Sequence, residues 1–552
     1  MRRSLVATVL AGLLAVHPAW ADTVDHYQQG LMLLERHQYQ PALAEFRIAV
    51  IDQPTNPDAL CGLGVALYKL NALREATEAF DRALSIASSA QVQTQAQARS
   101  GLGDIYLQLG EHAAAAAQYR KALAHNPQWI GSRLNLARCL LALRQFDAAG
   151  SELTRLLHEQ PGLPEAYQVH SELSLARGDL ARAHEDLSRA WSLGRDLGEA
   201  SLVRACGLAG RQGDFAEAAA LLERYRGTRT EAYWSAAGDT YFHWLQAIAP
   251  LQALGNDVPL AQRMDADVLV SQARAAYERS LLCRPEQPVI RRALVRLARF
   301  EGQSALHLLT APGMGQRTLR QDWHLASAMA LAAGDRPLSL QLGKLAAEGG
   351  TPDDAARYER LLNVAGLPVP PELHRKALQA SRGVYWQGEA LGQAGDWASA
   401  QVLWAALPKG LWRQMAVAEL AWQRHDGVTA WQALTAAAVL DPDEPQIFVL
   451  AGEWAWAAGD VGRAMRTWQW GQRLGLPDPR LLSGLARLYA DMDQIGESRE
   501  LYRQVLTIRP NQTAAFDAFW QELLRAPWQP QTGTHEPDVR RTDTPLLRDA
   551  KA

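Results

Sequence analysis

The sequence predicts an all-α protein, a solenoid of stacked helix-turn-helix units, and three observations carry that prediction. Self-comparison at a spacing of 34 sets Gly30 over Gly64, Ala42 over Ala76, Phe46 over Phe80 and Ala49 over Ala83, and that period is the length of a helix pair stacked on copies of itself. Runs of Ala, Leu, Gln, Glu and Arg with few Val, Ile and Thr clusters favour helices over strands. The 552 residues, 48% hydrophobic and 21% charged, exceed what one core supports, whereas a repeat array grows without that limit.

The chain begins apart from this pattern. Arg2 and Arg3 precede the apolar stretch Leu5 to Val16, and the small-x-small site Ala19-Trp20-Ala21 precedes Asp22. Residues 1–21 read as a cleaved secretory signal peptide, so a periplasmic protein is expected. The apolar stretch is shorter than the ~20 residues a membrane span needs.

What recurs from unit to unit is size more than identity. A small residue in each helix lets the pair approach closely, and a large residue one turn on fills the hole beside them. A third unit has Leu102-Gly103, Tyr106, Ala115, Tyr119, Ala122 and Pro127; a fourth has Leu136-Ala137, Ala149 and Pro161, again 34 after Pro127. Two weaker units are marked by the turns Arg177-Gly178-Asp179 and Gln212-Gly213-Asp214, where Gly ends one helix and Asp can cap the next. This order resembles the tetratricopeptide repeat, Trp-x-x-Leu-Gly-x-x-Tyr followed by Ala, Phe or Tyr, Ala and Pro. The resemblance covers roughly residues 23–228 and 381–512. It implies a right-handed α-solenoid that binds and positions other molecules without transforming them.

Between those stretches the pattern loosens. Trp234, Ala237-Gly238 and Tyr241 match a first helix, but the second helix, with Ala273 and Tyr277, arrives late. Gly238 to Ala273 is 35, where Gly30 to Ala42 is 12, so 23 residues are inserted in one hairpin, at about 242–270. The insertion reads either as a binding element on one face or as a longer helix pair. Degenerate pairs follow, interrupted by breakers at Gly349 to Pro352 and Gly366 to Pro371. The register returns with Ala430, Ala464 and Ser498, and with Leu434, Trp468 and Tyr502, each 34 apart. The expected organisation is a signal peptide (1–21), an N-terminal array (22–228), divergent repeats (229–380), a C-terminal array (381–526) and a disordered tail (527–552) without an apolar period.

A net charge of -3 offers no basic footprint for nucleic acid. The four cysteines lie 78, 67 and 77 residues apart, a spacing that makes neither a metal site nor a disulfide framework; they read as small buried apolar residues. Gly62-Leu-Gly64 and Gly101-Leu-Gly103 look like phosphate loops but fall inside repeat helices, so packing explains them. No catalytic constellation, cofactor site or metal site is found, and a non-enzymatic protein is expected.

One row of side chains does point to binding. Glu389, Glu419 and Glu453 hold the same place in three successive first helices, 30 and 34 residues apart. Trp422 and Trp456 share another place, with Tyr385 and Trp412 nearby in register. Rings beside carboxylates suit a glycan or a basic peptide segment. The competing reading is that the tryptophans fill space between helices and the glutamates form a solvated face. Repeats of the chaperone-binding kind clamp a carboxylate with Lys, Asn and Arg; here those places hold Tyr27, Leu31, Gly62, Gln97 and Gly101, and the clamp is absent. An exported repeat scaffold also resembles the periplasmic parts of bacterial exopolysaccharide secretion systems. That resemblance implies an adaptor among protein partners of an envelope complex, peripheral to the membrane at most, with a glycan as a further ligand. The alternative is an assembly factor for pili, outer-membrane proteins or cytochromes that binds extended protein segments.

Overall fold

The computed structural model describes residues 25–194, 196–258, 263–300, 320–332, 334–474 and 478–510. The signal peptide and the tail expected from the sequence lie outside those residues. Among the described residues there are 27 helices and no strand. Contacts divide the chain into two units, one ending at Leu197 and one beginning at Gly198.

The first unit contains α1 (His26–Glu35), α2 (Tyr39–Asp52), α3 (Pro57–Lys69), α4 (Leu73–Ile86), α5 (Val92–Gln108), α6 (His112–His125), α7 (Ile130–Ala142), α8 (Phe146–Glu159), α9 (Pro164–Ala176) and α10 (Leu180–Ser192). Each odd-numbered helix pairs with its successor, and the pairs stack in chain order. Every hairpin turns through a left-handed residue: His37, Asn71, Gly110, Arg144 and Gly178, with φ between 57° and 81°. Gly110 adopts that conformation freely, while Asn71 tolerates it through its short polar side chain. Asp179 then caps α10, accepting from the backbone N–H of Arg182 at 3.0 Å.

The size pattern becomes a slot for a ring. Phe46 of α2 lies where a Cβ on Gly30 would stand only 2.8 Å from it, and a Cβ on Gly62 of the next first helix would come closer still. Phe80 lies in the same way between Gly64 and Gly101, and Tyr119 against Gly103. Gly30, Gly64 and Gly103 each precede their ring by 16 residues, and Gly62 and Gly101 close the slots from the next first helix, so the two apparent phosphate loops are slots for aromatic side chains. Phe46, Phe80 and Tyr119 are fully buried there.

The second unit contains α11 (Glu199–Gln212), α12 (Phe215–Arg224), α13 (Glu231–Ala253), α14 (Ala266–Cys283), α15 (Pro288–Phe300), α16 (Arg320–Ala332), α17 (Arg336–Ala347), α18 (Pro352–Val364), α19 (Pro371–Ala377), α20 (Ser381–Gln393), α21 (Trp397–Ala405), α22 (Leu411–Gln423), α23 (Gly427–Leu440), α24 (Pro445–Ala457), α25 (Val461–Arg473), α26 (Pro479–Asp491) and α27 (Ile495–Ile508). The inserted residues form a lengthened helix pair, α13 of 23 residues and α14 of 18. The far end of that pair is not free. α13 packs on α23 and α25, Gln246 donates to Asp443 at 3.0 Å, Asn256 to Thr435 at 3.2 Å, and Arg473 pairs with Asp267 at 3.0 Å. The insertion thus serves the chain's own later repeats.

The unit also folds back along its other face. Leu331 of α16 and Leu361 and Val364 of α18 share a core with Val449, Leu481, Leu485 and Ile508 of α24, α26 and α27. First helices from either end of α16–α27 therefore meet. Cys61, Cys139 and Cys206 are buried as expected, but Cys283, the last residue of α14, is exposed at the end of its helix. No helix among the described residues is long and apolar enough to cross a membrane.

Candidate binding site

The acidic row is assembled as its spacing predicts. Glu389, Glu419 and Glu453 are each the ninth residue of a first helix, α20, α22 and α24, and successive first helices lie side by side. The structure adds the two ends of the row: Arg360 is the ninth residue of α18 and Arg487 the ninth of α26. A second row stands two turns earlier, at the second residue of each helix: Asp353, Arg382, Trp412, Gln446 and Arg480.

The middle of these rows is buried, at Arg382, Glu389, Glu419 and Gln446, while Arg487 at the end is exposed. Glu389 is 2% exposed and Glu419 6%. Glu389 accepts from Gln446 at 2.8 Å and Gln393 at 3.0 Å, and pairs with Arg480 at 3.1 Å and Arg360 at 3.6 Å. Arg360 also reaches Asp478, the N-cap of α26, at 3.1 Å and donates to Gln446 at 2.8 Å. Arg480 lies 3.8 Å from Glu453 and 3.5 Å from Asp478. Beside this network Arg382 pairs with Glu444 and Asp353, both at 3.0 Å, and stacks over Trp412 at 4.6 Å. The cations suited to this acidic row are supplied by the chain itself.

The aromatic members are likewise mostly internal. Tyr385 is fully buried, stacked on Trp404 at 5.7 Å, and donates its hydroxyl proton to Glu419. Trp412 is half-buried against Tyr385 at 5.2 Å. Trp422 stacks on Trp454 at 4.9 Å, almost parallel. Trp456 is 36% exposed and leans on Trp468. The groove expected to stand open to a glycan or basic peptide is therefore filled by Arg360, Arg480 and neighbouring rings. Of the residues missed by sequence reasoning, Arg360 stands in the glutamates' own row, Gln446 and Arg480 in the row two turns before it, and Asp478 at a helix N-cap outside both; a row read two turns before the glutamates would have found Gln446 and Arg480.

Charge balance in the network is uneven. Burial and the neighbouring Glu389 push Glu419 up to about 8, and burial pushes Glu453 up to about 7 against the opposing pull of Arg480. Burial also opposes the charge of Asp478, but Arg480 and Arg360 outweigh it and hold that carboxyl below its ordinary range. The fold favours the neutral form of Glu419 and Glu453. Their stabilising contribution is full in acid and is lost as pH climbs from the ordinary carboxylate range through about 7 and 8. The thermal midpoint of the second unit is expected to fall between pH 5.5 and pH 8.5. Glu419→Gln, which keeps an acceptor for Tyr385 without the charge, should remove roughly 1–3 kcal/mol of that loss; an unchanged slope in a pH series of melts would refute it.

With this geometry established, comparison with known proteins gives the kinship. The sequence pattern of the tetratricopeptide repeat matches residues 27–91, 106–173 and 480–509. Cellulose synthase operon protein C of Pseudomonas fluorescens is 31% identical over 157 residues, 28% of this chain and 12% of that protein's length. Among solved structures, PilW, a type IV pilus biogenesis factor, is 24% identical over 37% of this chain and 93% of its own, with a TM-score of 0.33. A tetratricopeptide repeat protein from Parabacteroides merdae is 17% identical over 49% of this chain and 96% of its own, with a TM-score of 0.32. At both ends of its described helical array, then, this chain is built of tetratricopeptide repeats.

Proposed function

We propose that the chain is a non-catalytic scaffold that holds a segment of a partner protein on the first-helix face of its first unit, within an exported envelope assembly for exopolysaccharide synthesis or export. The observation that carries this reading is a contrast between equivalent rows. The place after the slot glycine, buried as Glu389 and Glu419 in the second unit, holds Leu31, Val65, Asp104, Arg138 and Glu172 in the first, and none of these five is buried. The same helices thus present a row of mixed apolar and charged side chains, exposed at Arg138 and partly accessible at the other four. Polar bonds hold that face at a fixed spacing, Asp104 accepting from Tyr119 at 2.6 Å and from Asn135 at 3.1 Å. A prearranged surface loses less entropy on binding. The likeness of 157 residues to a protein named for a cellulose synthase operon favours the exopolysaccharide setting, and the signal-like residues 1–21 favour export.

A photo-crosslinking residue at Val65 or Arg138 tests the reading in cells. Crosslinks to an envelope protein are expected from these two sites and not from the buried Glu419 site. Absence of any adduct at both would overturn it. Fusion of residues 1–30 to a reporter active only outside the cytoplasm tests export separately.

A further inference from the structure

A cleft of about 800 Å³ opens in the first unit between α8 and the α9–α10 hairpin, away from the first-helix row. Its volume falls within the ~300–1,000 Å³ of small-molecule sites. Gly150 is what makes the room. At the equivalent place the other second helices carry Leu43, Thr77, Ala116 and His184, whereas a Cβ on Gly150 would meet Leu173 at 3.5 Å and the Arg177 guanidinium at 3.6 Å. In a helix interior a glycine is a cost without a local benefit, so the space it leaves is the informative feature.

The lining is polar and on balance positive, with Arg155, Arg177 and Arg182 against Asp147 and Asp179. The carboxylates offer limited competition. Arg177 meets Asp147 at 2.8 Å in an exposed pair, which contributes little, and Asp179 is engaged in capping α10. Arg155 is held by Glu159 at 2.8 Å, while Arg182 is exposed and makes no ion pair among the described residues. Three hydroxyls, Ser151, Thr154 and Ser174, complete the walls. On the floor His170 is buried, its Nδ1 engaged by Asp186 at 2.6 Å, which leaves Nε2 as its remaining polar atom.

We propose that this cleft binds an acidic saccharide, a uronate, with Arg177 and Arg182 taking the carboxylate and the hydroxyls and imidazoles taking the ring hydroxyls. Planar guanidiniums match a carboxylate in two-pronged geometry. A peptide fits the lining poorly: the cleft holds no Asn or Gln to pair with a backbone, and Leu173 is its one large apolar side chain. The site lies on the second-helix side and is independent of the partner-protein reading above.

Titration of the purified chain with an oligogalacturonate tests the proposal, with a neutral malto-oligosaccharide and inorganic phosphate as comparisons. The oligogalacturonate is expected to bind, more weakly at higher salt, and the neutral sugar is not. Gly150→Leu fills the cleft with the residue the first hairpin already carries there; it should weaken binding about tenfold or more without lowering the thermal midpoint. Arg182→Ala should weaken it several-fold. Unaltered binding by Gly150→Leu, equal binding of the neutral sugar, equal occupancy by inorganic phosphate, or no binding of the oligogalacturonate would each overturn the proposal.

Discussion

Arg480→Ala is expected to unfold the C-terminal hairpins of the second unit near neutral pH while the first unit keeps its own transition. The guanidinium is the common partner of Glu389 at 3.1 Å, Asp478 at 3.5 Å and Glu453 at 3.8 Å. Two of those carboxylates are almost fully buried, Glu389 at 2% and Asp478 at 4% exposed. Removing one partner of a buried pair costs about 3–5 kcal/mol, and here two buried carboxylates would be left to share the Arg360 guanidinium alone. Arg360 cannot make up the loss, being already committed to Glu389, Asp478 and Gln446. Two melting transitions with unit-resolved proteolysis would show a loss confined to residues beyond Gly198. The variant should recover in part as the pH is lowered, since protonation then neutralises the orphaned carboxylates and the folded state holds more protons than the unfolded one. Arg480→Lys, which keeps the charge but not the fork, should fall between the two. A midpoint within one degree of the wild type would show that the network contributes no stability.

That network marks where reading the sequence stopped short. The 34-residue register, the ring slots and the common place of Glu389, Glu419 and Glu453 are local properties, each set by side-chain size within one helix pair and its neighbour, and all are legible in the chain. Whether the glutamate row faces water is not local. It depends on Arg360 reaching Asp478, 118 residues away, and on α16 and α18 returning to α24 and α26, a closure that sums small rotations over six hairpins. The insertion near 242–270 was visible as a change of spacing, but its partners, Asp443 and Thr435, stand nearly two hundred residues on. Cys283 shows the same limit on a smaller scale: its residue type favours burial, and its position at a helix end decides exposure.

Gly452→Val is expected to be nearly as damaging, through packing alone. Trp468 of α25 lies between two first helices: a Cβ on Gly452 of α24 would collide with its indole nitrogen, and one on Gly484 of α26 would stand 2.6 Å from the far edge of the ring. The indole is 3% exposed, so it can yield toward neither side without forcing the helices apart. Overpacking a core commonly costs about 1–3 kcal/mol; here the cost falls where α24 carries Gln446 and Glu453 and α26 carries Arg480, so displacement would also lengthen the ion pairs. Trp468→Leu by itself leaves a cavity and should cost about 3 kcal/mol. In the double variant the new valine occupies part of that cavity, and the two losses should fall short of their sum by about 1 kcal/mol or more. Strict additivity in urea melts would mean that glycine and ring act separately. Measured coupling would instead assign the recurrent pairing, Gly30 with Phe46, Gly64 with Phe80 and Gly452 with Trp468, to a single steric rule that sets the distance between consecutive first helices.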